Sequence, residues 1–208
     1  MIVIGKSVKN KLKNGIVLIS MILLACHTIG ASISSKSKLA EIENLDNGLL
    51  SILFNINAAN IAVRQAALAP NKTLIDIELK VLATTRPSTS AVYEVLKSAR
   101  VWTNEDKAVV KMLILERKDY IYWQKQVVED IRFELCSKQQ LWQHLKVYEY
   151  TKDRYIARLN GLRLSLDRHE TRIRIKMLIT IFITIVLSTL YLLACTIRLF
   201  FDRNEDSK

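Results

Sequence analysis

Glycine and proline are scarce, with five and two in 208 residues. So few turn-formers allow few chain reversals, and no stretch sustains the polar/apolar alternation of a half-buried strand. The chain is therefore expected to be all-α, with long helices. The three cysteines, Cys26, Cys136 and Cys195, supply no disulfide framework, because two of them lie in apolar segments and Cys136 stands alone. No CxxC or CxxxH spacing occurs and His27, His144 and His169 are scattered, so no metal site is expected. Also missing are a nucleophile–base pair, a glycine-rich phosphate loop and a carboxylate pair set for acid–base work. These absences argue against catalytic residues, a cofactor and enzyme activity.

Positive charge is in excess but not concentrated. The net charge is +11, yet residues 34–176 hold 24 Lys and Arg against 17 Asp and Glu, interleaved along helical faces. Interleaving of this kind marks a solvated surface rather than a phosphate-binding stripe, and nucleic-acid binding is not expected.

What the chain does have is two apolar segments. Residues 177–197 carry no charge between Lys176 and Arg198. At about 1.5 Å per residue, such a helix is about as long as the ~30 Å hydrocarbon core of a bilayer. Near the other end, a basic tail at 1–14 with Lys6, Lys9, Lys11 and Lys13 precedes a charge-free stretch at 15–35. Three readings compete for that stretch: a first transmembrane helix, which is preferred, a cleaved signal peptide, and a lipoprotein signal with lipidation at Cys26 in Leu23-Leu24-Ala25-Cys26. The four lysines place the N-terminus in the cytoplasm. A second span returns the tail at 198–208 to the same side and leaves residues 36–176 across the membrane.

Between the spans, Ile42, Leu45, Leu49, Ile52, Ile56, Ala59, Val63 and Ala66 alternate steps of three and four, a heptad seam. Pro70 and Asn71 end that helix. A second helix is expected from a Thr73 cap, with a seam at Leu74, Ile77, Val81, Thr84, Ser88, Ala91, Val95 and Ser98 and a kink near Pro87. A third starts after a Thr103 or Asn104 cap, carries Val109, Leu113, Tyr120, Val127 or Val128, Ile131 and Leu135, and ends near Cys136 and Ser137. A fourth, with Leu141, Leu145, Tyr148, Tyr155, Leu159, Leu162, Leu166 and Ile173, continues into the second span. Short turns between long helices imply an antiparallel up-down-up-down four-helix bundle flanked by two transmembrane helices.

This order, with NIAVRQAAL on the first helix, TTRPSTSAVYEVL on the second, ERKDY on the third and a fourth fused to a span, resembles the periplasmic sensor domain of bacterial methyl-accepting chemotaxis proteins. The resemblance implies an inner-membrane protein with a periplasmic bundle that binds a small organic anion or amino acid and signals across the membrane. It also implies pairing as a homodimer, or as a heterodimer with a full-length chemoreceptor. Because FFDRNEDSK follows the second span, the expectation is a sensor without its own HAMP linker and kinase-control hairpin. The implied ligand contacts are Asn60 and Arg64 on the first helix, Arg86 on the second, Tyr120 on the third, and Thr151 and Arg154 on the fourth, where Arg158 shares their face. The alternative is an interaction or structural membrane protein that dimerises and binds no ligand.

The preferred first-span reading predicts an intact N-terminal segment when the membrane-extracted chain is weighed by mass spectrometry. A mature chain beginning at Cys26 would replace it with the lipoprotein reading.

Overall fold

The computed structural model describes residues 6–205, with side chains described except at 6–16, 81, 83–90 and 198–205. Among the described residues all regular structure is helical: α1 (Lys6–Leu68), α2 (Lys72–Ser98), α3 (Asn104–Phe133) and α4 (Lys138–Glu205). The chain divides into two compact units, Ala40–Glu170 and the pairing of Met1–Leu39 with Thr171–Lys208.

In the unit Ala40–Glu170, all eight seam residues of α1 from Ile42 to Ala66 are buried. The helix stops at Leu68, two residues before Pro70, whose ring excludes the residue ahead of it from helical geometry. α2 is capped by Asn71, not Thr73. Asn71 is extended (φ −149°, ψ 162°) and its side chain accepts from the Leu74 amide at 3.0 Å, which leaves Thr73 inside the first turn.

The buried face of α2 also differs from the expected one. Leu79, Leu82, Tyr93 and Leu96 are buried, whereas Leu74, Ile77 and Val95 are 40%, 52% and 50% exposed. Two stripes of the helix satisfy the same spacing. The one turned inward carries Tyr93 and Leu96, which remove more apolar area from water than the Ala91, Val95 and Ser98 of the other. The helix continues through Pro87. Where α2 passes α1, Gly48 makes room: a Cβ there would lie 2.8 Å from Val92 Cγ1.

α3 opens on a capping box in which the Thr103 side chain and Asp106 satisfy each other's backbone amides. Just upstream, the buried Trp102 donates its indole N–H to the Leu96 carbonyl at 2.8 Å, covering the C-terminal end of α2. α3 ends at Phe133, with Glu134 in the left-handed region (φ 50°), so Leu135 is exposed rather than part of the seam. On α4, Leu145, Tyr148, Tyr155, Leu159, Leu162 and Leu166 are buried. Arg163 grips Asp46 of α1 through two bonds, at 2.6 and 3.3 Å, while Arg64 of α1 pairs with Glu149. Rising along α1 therefore means descending along α4.

The other unit has a different chemistry. Large apolar side chains such as Leu18, Leu23, Ile33, Leu178, Phe182 and Leu192 are exposed. Two helices, within Val17–Leu68 and Lys138–Ile197, are long and apolar enough to cross a membrane, and no part of their most apolar windows is buried inside the protein. Thr180, Thr184, Thr189 and Thr196 each donate a hydroxyl to the carbonyl four residues back, at 2.8–2.9 Å, which hides these groups without water. Thr28 and Thr184 meet hydroxyl to hydroxyl at 2.9 Å. Thr28, Ala31 and Ser32 lie opposite Met177 and Thr180 across a cleft of about 240 Å³, the small-residue contact typical of helices packed in lipid.

The choice of face on α2 gives a direct test. Leu96→Ala should cost about 2–5 kcal/mol through the cavity it leaves, while Val95→Ala should stay within about 0.5 kcal/mol. Urea midpoints of the two variants, measured side by side in detergent, distinguish the inward stripe from the outward one.

Candidate ligand-binding groove between α3 and α4

Four polar residues of α3 are buried among its apolar seam: Asp106, Glu116, Gln124 and Asp130. An ionised carboxylate taken out of water needs a partner, and α4 brings a basic side chain to each of the three acids. Asp106 Oδ2 lies 2.9 Å from His169 Nε2, and Ser165 donates its hydroxyl to Oδ1. Glu116, 5% exposed, accepts from Arg154 Nη2 at 3.3 Å and from Arg158 Nη2 and Nε at 3.1 and 3.4 Å. Asp130 Oδ2 lies 2.6 Å from His144 Nδ1, while Gln126 donates to Oδ1 at 3.3 Å.

Burial of Asp106 alone would push its carboxyl up. Hydrogen bonds from Ser165, Thr103 and His169 outweigh that and hold it well below the usual carboxylate range. Ser165 and His169 bond opposite oxygens of Asp106, so the acid stands between them and the three do not form a proton relay from hydroxyl to imidazole. Arg158 is held more firmly protonated by its bonds to Glu116.

Glu116, Arg154 and Arg158 lie on a groove of about 390 Å³ that Asp106, Val109, Ala157, Gly161 and Leu162 complete. A Cβ on Gly161 would meet nothing within 4 Å, so the groove stays open there. Two guanidiniums thus face two carboxylates, Glu116 and the ionised Asp106, across the groove. Each guanidinium carries five N–H donors in a planar fork suited to carboxylates, and the bonds to Glu116 use only part of that capacity.

The residues expected from the sequence do not gather in one place. Arg154 lines the groove. Arg64 is more than half exposed in its pair with Glu149. Tyr120 is buried, its ring stacked between Tyr148 and Tyr155 with centroids 5.6 and 5.5 Å away, and its hydroxyl accepts from Gln124 at 3.0 Å. Thr151 is buried too, and donates its hydroxyl to the Tyr148 carbonyl one turn back. Asn60 keeps its side-chain oxygen buried without a hydrogen-bond partner. The Tyr148 hydroxyl likewise finds no partner of good geometry, although Tyr120 and Gln124 are near enough to influence it. The side chain of Arg86 lies outside the described residues.

The residue most clearly missed from sequence is Glu116. It falls on the 3–4 rhythm of α3 between Leu113 and Tyr120, and a charge at a seam position was the available signal.

Because Asp106 binds its proton less tightly folded than unfolded, its stabilisation is complete above the ordinary Asp pKa of about 4 and is lost as pH falls toward the folded value. Asp106→Asn should lower stability at neutral pH and flatten the fall in urea midpoint below about pH 4. A variant with the parental acid slope would show that other carboxylates carry that loss.

Comparison with protein-family models, curated proteins and solved structures gives no match for this chain.

Proposed function

We propose that this chain is a membrane-anchored sensory module. Ala40–Glu170 is read as an antiparallel up-down-up-down four-helix bundle, carried by two transmembrane helices on the periplasmic side of a bacterial inner membrane, and its ligand is a small organic anion. The observation that carries the reading is the pairing of Arg154 and Arg158 on the buried Glu116 at an open groove. A dicarboxylate entering there would take the outward donors of both forks and weaken their hold on Glu116.

The route to the membrane is supported by α4, one helix that holds both arginines and the apolar segment 177–197. Two arrangements of α4 with different anion affinity would suffice for signalling, since a ligand shifts an equilibrium only by its differential affinity. In keeping with the likeness to chemoreceptor sensor domains, the output would pass to a partner receptor or to a second copy.

A second reading has its own support. Leu50, Phe54, Ile61 and Leu68 form an exposed apolar stripe on α1, a surface suited to pairing with another bundle. On that reading the chain is an interaction protein with no ligand.

Calorimetry on the full chain in detergent, with a panel of di- and tricarboxylates and amino acids, separates the two. The sensory reading expects heat from at least one compound, a loss of at least tenfold in affinity in Arg158→Ala, and no change in Arg64→Ala. Silence across the panel would leave the interaction reading in possession.

A further inference from the structure

The pair Asp130–His144 differs from the other two acid–base contacts between α3 and α4 in having a third metal-ligand atom within reach. Cys136, in the turn between the helices, brings its sulfur close enough that the ligand atoms of Asp130, Cys136 and His144 all lie within 4.8 Å of one another. In sequence the cysteine and the histidine looked isolated, because Cys136 stands six residues after Asp130 and eight before His144, a spacing that matches no familiar motif. The helix–turn–helix closes it. We propose that these three residues form a binding site for a divalent transition metal, with zinc the best fit.

The donor set chooses the class of metal. One thiolate, one imidazole and one carboxylate are what zinc takes. Calcium and magnesium prefer oxygen alone. In a tetrahedral zinc site neighbouring ligand atoms stand about 3.5 Å apart, so the Asp130–His144 contact, 2.6 Å in this structure, opens slightly while Cys136 closes in.

The surroundings also suit a cation. Asp130 is 4% exposed and sits in the last turn of α3, where the helix dipole presents its negative end and disfavours a carboxylate. Positive charge at that point relieves both burdens. Gln126 holds the second carboxylate oxygen and the Trp123 ring lies against His144, with centroids 5.7 Å apart, as expected of groups that orient metal ligands from behind. Three protein ligands leave the fourth position to water. Binding deprotonates the Cys136 thiol and releases that proton to solvent, together with one from His144 where the imidazole is charged.

The test uses the full chain in detergent, titrated with cobalt as a spectroscopic stand-in and then with zinc against a chromophoric chelator. The expected result is one equivalent bound, a thiolate-to-cobalt charge-transfer band, and loss of that band in Cys136→Ser. His144→Gln should weaken zinc at least tenfold, and Gln126→Ala by about 10- to 100-fold. A missing band, or a band that survives Cys136→Ser and so belongs to Cys26 or Cys195, overturns the proposal. If Cys136→Ser loses helix content by circular dichroism, alkylation of the unaltered chain decides instead. Zinc should slow modification of Cys136 at least tenfold, read by mass spectrometry, and unchanged labelling overturns the site. Neither outcome bears on anion binding at Arg154 and Arg158, a separate site.

Discussion

Three carboxylates inside the contact between α3 and α4 constrain everything else in the unit Ala40–Glu170. Each would cost several kcal/mol if buried alone, and removing a partner from a buried pair typically costs about 3–5 kcal/mol. The partners come from one helix and in strict order. Ten residues along α3 from Asp106 to Glu116 correspond to eleven back along α4, from His169 to Arg158. The next fourteen, to Asp130, correspond to fourteen back to His144. Apolar seams tolerate a slip of one heptad because leucine meets leucine again. The acids do not, since a slip of about 10 Å would strand all three at once. Hydrophobic burial brings the helices together, and charge settles how far along each other they lie.

The same distinction explains what could be read in advance. Every seam residue of α1 is where its spacing put it, because the 3–4 rhythm runs unbroken there from Ile42 to Ala66, whereas the apolar residues Leu50, Phe54, Ile61 and Leu68 are more widely spaced. α2 offers two stripes, and periodicity cannot rank them. The area of Tyr93 and Leu96 can, but only against partners whose positions the sequence does not give. The start of α2 moved from Thr73 to Asn71 because a cap is defined by backbone conformation as much as by side-chain type. For the candidate site, Arg154 was legible as one of several basic residues on a face, while Glu116 was passed over although its position on the seam marked it. Burial of an acid reads as an error in an apolar pattern until the bases opposite are counted. The gathering of Asp130, Cys136 and His144 lay further out of reach, since it depends on how tightly the turn at Glu134 closes.

α4 carries the most varied duties. Its buried tyrosines and leucines serve the core, its bases neutralise α3, and its segment 177–197 is free of charge, with threonines whose hydroxyls are returned to their own backbone. No proline interrupts it. In the proposed sensor, the bases that meet Glu116 and the apolar segment 177–197 therefore belong to one and the same helix.

The ordered ladder of acid–base contacts also governs how the chain can vary in length. One residue inserted between Asp106 and Asp130 would turn everything beyond it by about 100° and swing an acid away from its base. A deletion between His144 and His169 would do the same from the other side. Relatives of this protein should therefore keep the residue count of these two stretches fixed, or change both together by whole heptads. Insertions belong where no rung depends on the count, as between Leu68 and Lys72.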